Sequence, residues 1–211
     1  MFGLFKRKRR SASDMPSRVH ISIDKQLEHL EAVGIRLKPD VEIEQCSSIM
    51  DAASGAREGL PFIHLLMTMG RELDGEEGCE GIFLSNDAWC FDRECIEDHG
   101  DYVLKLERIA MMLAPEIVLA NLQDYVDMET GECWISFCAN GTYCRHELTL
   151  SDDWLSLEFF AIFSELLAAS GSPKRFFYSD TGNELAVVLI DKDCFGPLSE
   201  RIPIFLPTIQ A

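Results

Sequence analysis

The chain has 211 residues, 47% of them hydrophobic, and is long enough to bury one sizeable core or two small ones. Its 19 lysines and arginines stand against 36 acidic residues, a net charge of −17 at pH 7. Without the basic run at positions 6–10, 14 basic residues remain against the same 36 acidic ones, a net charge of −22. A body this acidic repels nucleic-acid phosphates, so we expect no DNA or RNA binding by the folded part and favour a basic protein as partner.

The cysteines and the apolar stretches predict a cytoplasmic protein. Eight cysteines are too few for a small disulfide scaffold, and most lie inside apolar runs, where a free thiol behaves as a small hydrophobe. The basic start is followed by "SASDMPSR" and not by an apolar export segment. No charge-free apolar stretch approaches the roughly 20 residues of a membrane helix, so we expect no membrane span.

The chain begins with a predicted basic tail, residues 1–18, in which an apolar tip and a basic run precede a Ser/Pro stretch. This composition is typical of a flexible tail, and an anchor for a membrane surface or a partner is the alternative. Residues 23–33 then place apolar side chains on one helical face, with Gly34 as a C-terminal cap. Two more helices are predicted, around 44–54 and 61–73.

A glycine-punctuated acidic loop, "ELDGEEGCEG", follows these helices. A calcium loop of the EF-hand type needs ligands at alternating places, a Gly at the sixth and a Glu at the twelfth, and this loop keeps none of that register. A solvated loop or a docking patch for a basic partner fits the composition better. The candidate partner-binding residues of this acidic loop are Glu72, Asp74, Glu76, Glu77 and Glu80.

The rest of the chain alternates strands with helices. Two short strands are predicted within "GIFLSNDAWCF" (81–91), and a helix over 101–113 that Pro115 stops. The segment "LQDYVDMETGECWISFC" then has the pattern strand, turn, strand.

A second unit of the same kind follows. Ser151 is predicted to cap a helix that ends at Gly171, with almost no polar residues and therefore buried. "KRFFYSDTGNELAVVLID" is again strand, turn, strand, and its Thr-Gly turn matches the turn of the first unit. The two units suggest an internal duplication, with both helices packed on one shared antiparallel sheet. We predict an α+β fold with residues 19–211 as one domain, helical to about 75 and sheet-rich from about 80.

The sequence "CWISFCANGTYCRH" (133–146) predicts a β-hairpin around Asn140-Gly141, a dipeptide typical of two-residue type I′ turns. The register that this turn sets pairs Phe137 with Cys144 and Ile135 with His146. Because side chains alternate, Cys133, Cys144 and His146 share the apolar face of the hairpin, and Cys138 lies on the other.

This arrangement argues against chemistry at the cysteines. A structural zinc site needs four converging ligands, and no fourth ligand is evident near Cys133, Cys144 and His146. A Cys144/His146 dyad is geometrically possible, but its apolar companions predict core residues with an inert thiol. Cys95, just ahead of a helix, is a second candidate thiol. The sequence has no G-x-S-x-G, Walker, G-x-G-x-x-G, H-E-x-x-H or C-x-x-C motif, so we expect no cofactor.

The opposite face of the hairpin is the better candidate for binding. Trp134, Tyr143 and Arg145 lie within cross-strand reach of one another there, and their residue types are enriched at protein-protein hot spots. A face covered by a helix and an ordinary solvated face are the alternatives.

In general appearance the chain resembles bacterial immunity proteins, which are acidic cytosolic partners that neutralise secreted toxins. The resemblance lies in the basic start "FKRKRR", the "SDDW" segment ahead of the buried helix, and the following "FFYSDTGNELAVVLI". It implies a non-enzymatic protein that inhibits a basic effector by electrostatic mimicry and occlusion of its active site. Two other functions stay open: a hydrolase or transferase that uses a cysteine, and an adaptor anchored by the basic tail.

Overall fold

The computed structural model describes residues 21–44, 61–73, 82–180 and 182–207. The predicted helix around 44–54 and the basic tail therefore lie outside the described residues, apart from residue 44. The helices are α1 (Ile23–Glu31), α2 (Pro61–Gly70), α3 (Asp101–Leu113), α4 (Glu158–Ala169) and α5 (Phe195–Arg201). The strands are β1 (Ala88–Asp92), β2 (Leu119–Asp127), β3 (Glu132–Ala139), β4 (Thr142–Glu147), β5 (Lys174–Asp180), β6 (Glu184–Asp191) and β7 (Leu206–Pro207).

These strands form two antiparallel sheets, which confirms the α+β class. One sheet has four strands in the order β1-β6-β5-β7, and the other has three in the order β2-β3-β4. The order helix, strand, strand occurs twice as predicted, once as α3-β2-β3 and once as α4-β5-β6. The prediction that both units share one sheet is wrong. Each hairpin is extended by a third strand, because β4 pairs with β3 and β1 pairs with β6, so the hairpins do not pair with each other.

Strand β6 separates two hydrophobic cores. All of its residues from 185 to 190 are buried, and they alternate between the two clusters of core side chains. Leu185, Val187 and Leu189 belong to the first core, which also holds side chains from α3, α4 and one face of the three-stranded sheet. Ala186, Val188 and Ile190 belong to the second core, together with side chains from α1, α2 and α5. The four-stranded sheet is therefore covered on both faces.

The predicted helices at 23–33 and 61–73 are observed with small differences in length. Helix α1 ends near Gly34, whose φ of +92° matches the predicted glycine cap. Helix α2 ends at Gly70, where a Cβ would lie 2.9 Å from the backbone nitrogen of Trp89. A glycine is needed there because α2 packs directly on β1.

Two strands are predicted within residues 81–91, but among the described residues of this range β1 is the one strand that forms, and Ile82 makes an isolated antiparallel bridge with Leu73. Ser85 Oγ donates to the carbonyl of Arg36 (2.6 Å) and accepts from the amide of Asp87 (3.0 Å), which fixes a turn before β1. The guanidinium of Arg108 on α3 donates to the carbonyls of Ser85 and Ala88, at 2.7 Å each, and lies over the ring of Phe83. This buried arginine joins α3 to the turn, so these backbone groups are not available for strand pairing.

The predicted cap at Ser151 is also wrong, because α4 begins at Glu158. The carbonyl of Asp153 accepts hydrogen bonds from the amides of Cys95 and Ile96, and the amide of Leu155 donates to Arg93. These contacts hold residues 153–155 against residues 93–96, so the helix starts several residues later. It ends as predicted near Gly171, where φ is +84°.

Asp124 ties the three-stranded sheet to the start of α3. Its carboxylate accepts hydrogen bonds from the amides of Gly100 (2.8 and 2.9 Å) and Val103 (3.1 Å), which the helix itself leaves unpaired. Gly100, the residue before the helix, has a φ of +97° and no side chain to cap with. A carboxylate from β2 therefore replaces the local cap.

We predict that Asp124→Ala lowers the free energy of unfolding by about 1–2 kcal/mol, the usual effect of removing a helix cap. Urea unfolding followed by circular dichroism measures the change. Asp40→Ala, which removes an exposed carboxylate outside the sheets, is the matched control and should change stability by less than about 0.5 kcal/mol. Equal effects from the two variants would contradict the capping role.

Candidate functional site

The hairpin around Asn140-Gly141 has the predicted register. Ala139 pairs with Thr142, Phe137 with Cys144 and Ile135 with His146. Asn140 and Gly141 have φ values of +48° and +83°, as a type I′ turn requires. Phe137 and Ile135 are fully buried in the first core, so this face of the hairpin is the core face, as predicted.

The other face of the three-stranded sheet, which we call the open face, has exposed side chains on its outer strands, whereas Ser136 of the middle strand is buried. Tyr143 is 64% exposed, and Arg145, Glu147 and Gln123 are exposed as well. Trp134, in the middle strand, is half-buried by its neighbours. Among the described residues, no helix covers these side chains, so the alternative of a helix-covered face is not found there.

A row of planar side chains crosses the open face. Trp134 stacks on Tyr125 of β2, with ring centroids 5.8 Å apart and planes at 9°. The guanidinium of Arg145 on β4 lies 4.0 Å from the centroid of the Trp134 ring. Glu147 holds it there, since Glu147 Oε1 accepts from Arg145 Nε (3.1 Å) and lies 3.0 Å from its Nη2. The structure thus brings Trp134 and Arg145 together as predicted, with Tyr143 farther along β4.

The row continues to His99, which the sequence did not indicate. Its ring centroid is 4.7 Å from that of Tyr125, and its Nδ1 accepts a hydrogen bond from the amide of Val126 (3.1 Å). The pairing of Tyr125 with Trp134 follows from the register of the Thr130-Gly131 turn, which could have been derived from the sequence. The position of His99 could not, because it depends on the fold of the loop before α3.

The acidic loop lies mostly outside the described residues. Of its predicted binding residues, only Glu72 is described, and it is exposed after the end of α2. Glu72 lines a cleft of about 620 Å³ formed by α2, β1 and β6, beside Arg71, which is ion-paired with Glu184 (3.0 Å). Glu72 and the open face therefore lie on different parts of the fold.

The candidate thiols lie in surroundings that do not activate them. Burial raises the pKa of the Cys133 thiol to about 11 and that of Cys90 to about 12. Burial also raises the pKa of Cys95, although Lys105 beside it acts in the opposite direction. Cys95 is therefore not the activated thiol that its place before a helix suggested.

The side chains of the Cys144/His146 pair contact other groups. The Cys144 thiol donates to the carbonyl of Thr142 (3.7 Å), and the His146 ring stacks on Phe137 at 5.9 Å. Burial lowers the pKa of His146, and Glu165 opposes this shift. Within the described ranges, no group of three or more His, Cys, Asp or Glu side chains could hold a metal ion.

Comparison of the chain with models of protein families, with curated proteins and with solved structures found no match. In the part of the chain that the structure describes, no helix is long and apolar enough to cross a membrane.

We predict that Cys90 and Cys133 resist alkylation by iodoacetamide at pH 8 in the folded protein. The thiolate is the reactive form, and a pKa near 11 or 12 leaves a thiolate fraction of about one in a thousand or less. Mass spectrometry of the digested protein measures the labelling, with the urea-unfolded chain as the fully reactive control. Fast and selective labelling of either cysteine in the native protein would contradict the prediction and would favour a thiol enzyme.

Proposed function

We propose that this protein binds a basic partner protein through the open face of its three-stranded sheet and inhibits that partner without catalysing a reaction. The observation that supports the proposal best is the row of Tyr125, Trp134 and Arg145 on the open face. Tryptophan, tyrosine and arginine are the residue types that contribute most of the binding energy at protein interfaces.

The row is already ordered before any partner binds. Stacking on Tyr125 fixes the ring of Trp134, and the ion pair with Glu147 fixes the guanidinium of Arg145. Ordering a long side chain at an interface costs about 0.5–1.5 kcal/mol, so side chains that are fixed in the free protein favour binding.

The charge of the chain supports a basic partner. With a net charge of −22 outside the run at 6–10, the protein attracts a positively charged domain over distances of about 10 Å at moderate ionic strength. This attraction increases the association rate more than it slows dissociation. We therefore expect association to become slower as salt concentration rises.

The resemblance to immunity proteins makes the proposal more specific about the partner and the mode of inhibition. In that form the partner is a bacterial toxin or effector domain, the complex forms in the cytoplasm, and binding covers the active site of the toxin. The acidic composition and the lack of an activated thiol among Cys90, Cys95 and Cys133 are consistent with an inhibitor that has no chemistry of its own. A basic toxin encoded beside this protein is the first partner to test.

We predict that Trp134→Ala weakens the complex with that neighbouring toxin by about 30-fold or more, which corresponds to roughly 2 kcal/mol. Isothermal titration calorimetry measures the affinity. Leu104→Ala, which truncates a side chain that is 60% exposed on α3, is the control and should change the affinity less than about twofold.

Because Trp134 is half-buried, its truncation could also affect folding. Tyr143→Ala separates the two effects, since Tyr143 is largely exposed and its loss leaves the core unchanged. We expect it to weaken the complex by about tenfold with no change in thermal unfolding. An unchanged affinity for both open-face variants would refute the proposed binding face.

The acidic loop has a separate test. Alanine at Glu72, Asp74, Glu76, Glu77 and Glu80 together should slow association about tenfold at low salt and have little effect near 0.5 M salt, because exposed charges are screened. Stopped-flow fluorescence measures the rate. If the association rate at low salt is unchanged, the loop has no part in attracting the partner.

A further inference from the structure

Strand β4 has one unpaired edge. It pairs with β3 on one side and is the last strand of its sheet among the residues that the structure describes. The amide of Leu148 donates to the carbonyl of Cys133 (2.9 Å), and hydrogen-bonded positions in an antiparallel pair recur at every second residue. The backbone groups of Cys144 and His146 therefore point to β3. The backbone groups of Tyr143, Arg145 and Glu147 therefore point outward.

Several features that usually prevent pairing with another strand are missing from this edge. Exposed edges are commonly protected by a proline, a β-bulge or charged side chains. The sequence of β4, "TYCRHE", has no proline, its register with β3 is regular, and its charged side chains Arg145 and Glu147 pair with each other. The side chain of Arg145 is held over Trp134 on the open face and so leaves the edge accessible.

A cleft of about 620 Å³ runs beside the unpaired edge, between β4 and α4. Leu157, Ala161, Ile162 and Tyr178 give it an apolar floor, and His146 lines it from the core face of β4. A chain added to the edge would therefore direct every second side chain into the cleft and the others over the open face.

The rim of the cleft is negatively charged. Arg145 and Glu147 line it and pair with each other, so their charges offset. Glu158 and Glu165 on α4 line it as well, and neither forms an ion pair with a lysine or arginine of the described segments. Glu158 accepts hydrogen bonds only from Thr149 and Ser156 there. A long basic side chain could lay its methylene groups on the apolar floor and bring its charge to these carboxylates.

We propose that the partner contributes an extended segment with arginine or lysine at alternate positions, which pairs with β4 as an added antiparallel strand. This inference rests on the proposed function and specifies how the basic partner binds. The residue opposite Arg145 and the residues two places away from it exchange backbone hydrogen bonds with β4 and place their side chains over the open face. The residues between them place basic side chains in the cleft beside Glu158 and Glu165. The segment thus binds at the junction of the open face and the cleft.

The test uses the acetylated and amidated heptapeptide Val-Arg-Val-Arg-Val-Arg-Val and two N-methylated forms of it. In the added strand the arginines occupy the cleft, so the valine amides point to β4 and the arginine amides point away. N-methylation of the inner valines should weaken binding by about tenfold or more, because it removes backbone hydrogen bonds. N-methylation of the inner arginines should change binding less than about twofold. Fluorescence anisotropy of labelled peptide with the full-length protein measures all three affinities.

Two observations on the protein complete the test. E158Q/E165Q should weaken binding of the unmodified peptide by about fivefold at low salt, and E28Q/E31Q, an equal change of charge on α1, should have less than a twofold effect. Hydrogen exchange of the Arg145 amide, followed by NMR, should slow on binding, whereas that of Cys144, already paired with β3, should not change.

Several outcomes would overturn the inference. These are no detectable binding, equal losses for the two N-methylated peptides, or an unchanged exchange rate at Arg145. The chain's own basic tail is a competing occupant: if replacing its five basic residues at 6–10 by glutamine increases peptide affinity tenfold, the tail fills the cleft and the assignment to a partner fails. If the peptide tests fail while Trp134→Ala still weakens the toxin complex, the proposed function stands without strand addition.

Discussion

The burial of β6 on both faces is the constraint from which the rest of the structure follows. A strand with six consecutive buried side chains needs apolar cover on two sides, and no single helical layer provides it. Helices α1, α2 and α5 cover one side, and α3, α4 and the core face of the three-stranded sheet cover the other. Each buried leucine or valine contributes about 1.5–3 kcal/mol relative to exposure, so both covers are needed for stability.

The same constraint explains why one sheet face is open. The three-stranded sheet uses its core face to complete the first core, where Phe137 meets Phe163 of α4 at 5.3 Å. Its other face packs against neither of the two cores and carries Tyr125, Trp134 and Arg145. Asp124 and His99 hold this sheet to the start of α3, so the open face has a firm connection to the core beneath it.

Sequence rules for turns and helix caps predicted the features that depend only on neighbouring residues. They failed where backbone groups distant in the sequence form the hydrogen bonds instead. The Asn140-Gly141 turn gave the correct register of β3 and β4 because turn geometry alone determines it. Ser151 was assigned wrongly as a helix cap because residues 93–96, more than fifty positions earlier, take the backbone groups of residues 153–155. The single shared sheet was wrong because periodicity shows which faces are apolar but not which edges pair. The role of the acidic loop beyond Glu72 in binding a partner stays a prediction.

The dimensions of the open face support a role for the neighbouring edge. With three strands about 4.8 Å apart and six residues of about 3.3 Å each, the face covers roughly 300 Å². A stable protein-protein interface buries about 800 Å² of accessible surface on each partner, so a complex formed through the open face has room for contacts beyond it. An added strand on β4 would extend the sheet by a fourth strand and also fill the cleft beside α4. The row of Tyr125, Trp134 and Arg145 would then lie near the centre of the contact. Tryptophan, tyrosine and arginine contribute most to affinity at the centre of an interface.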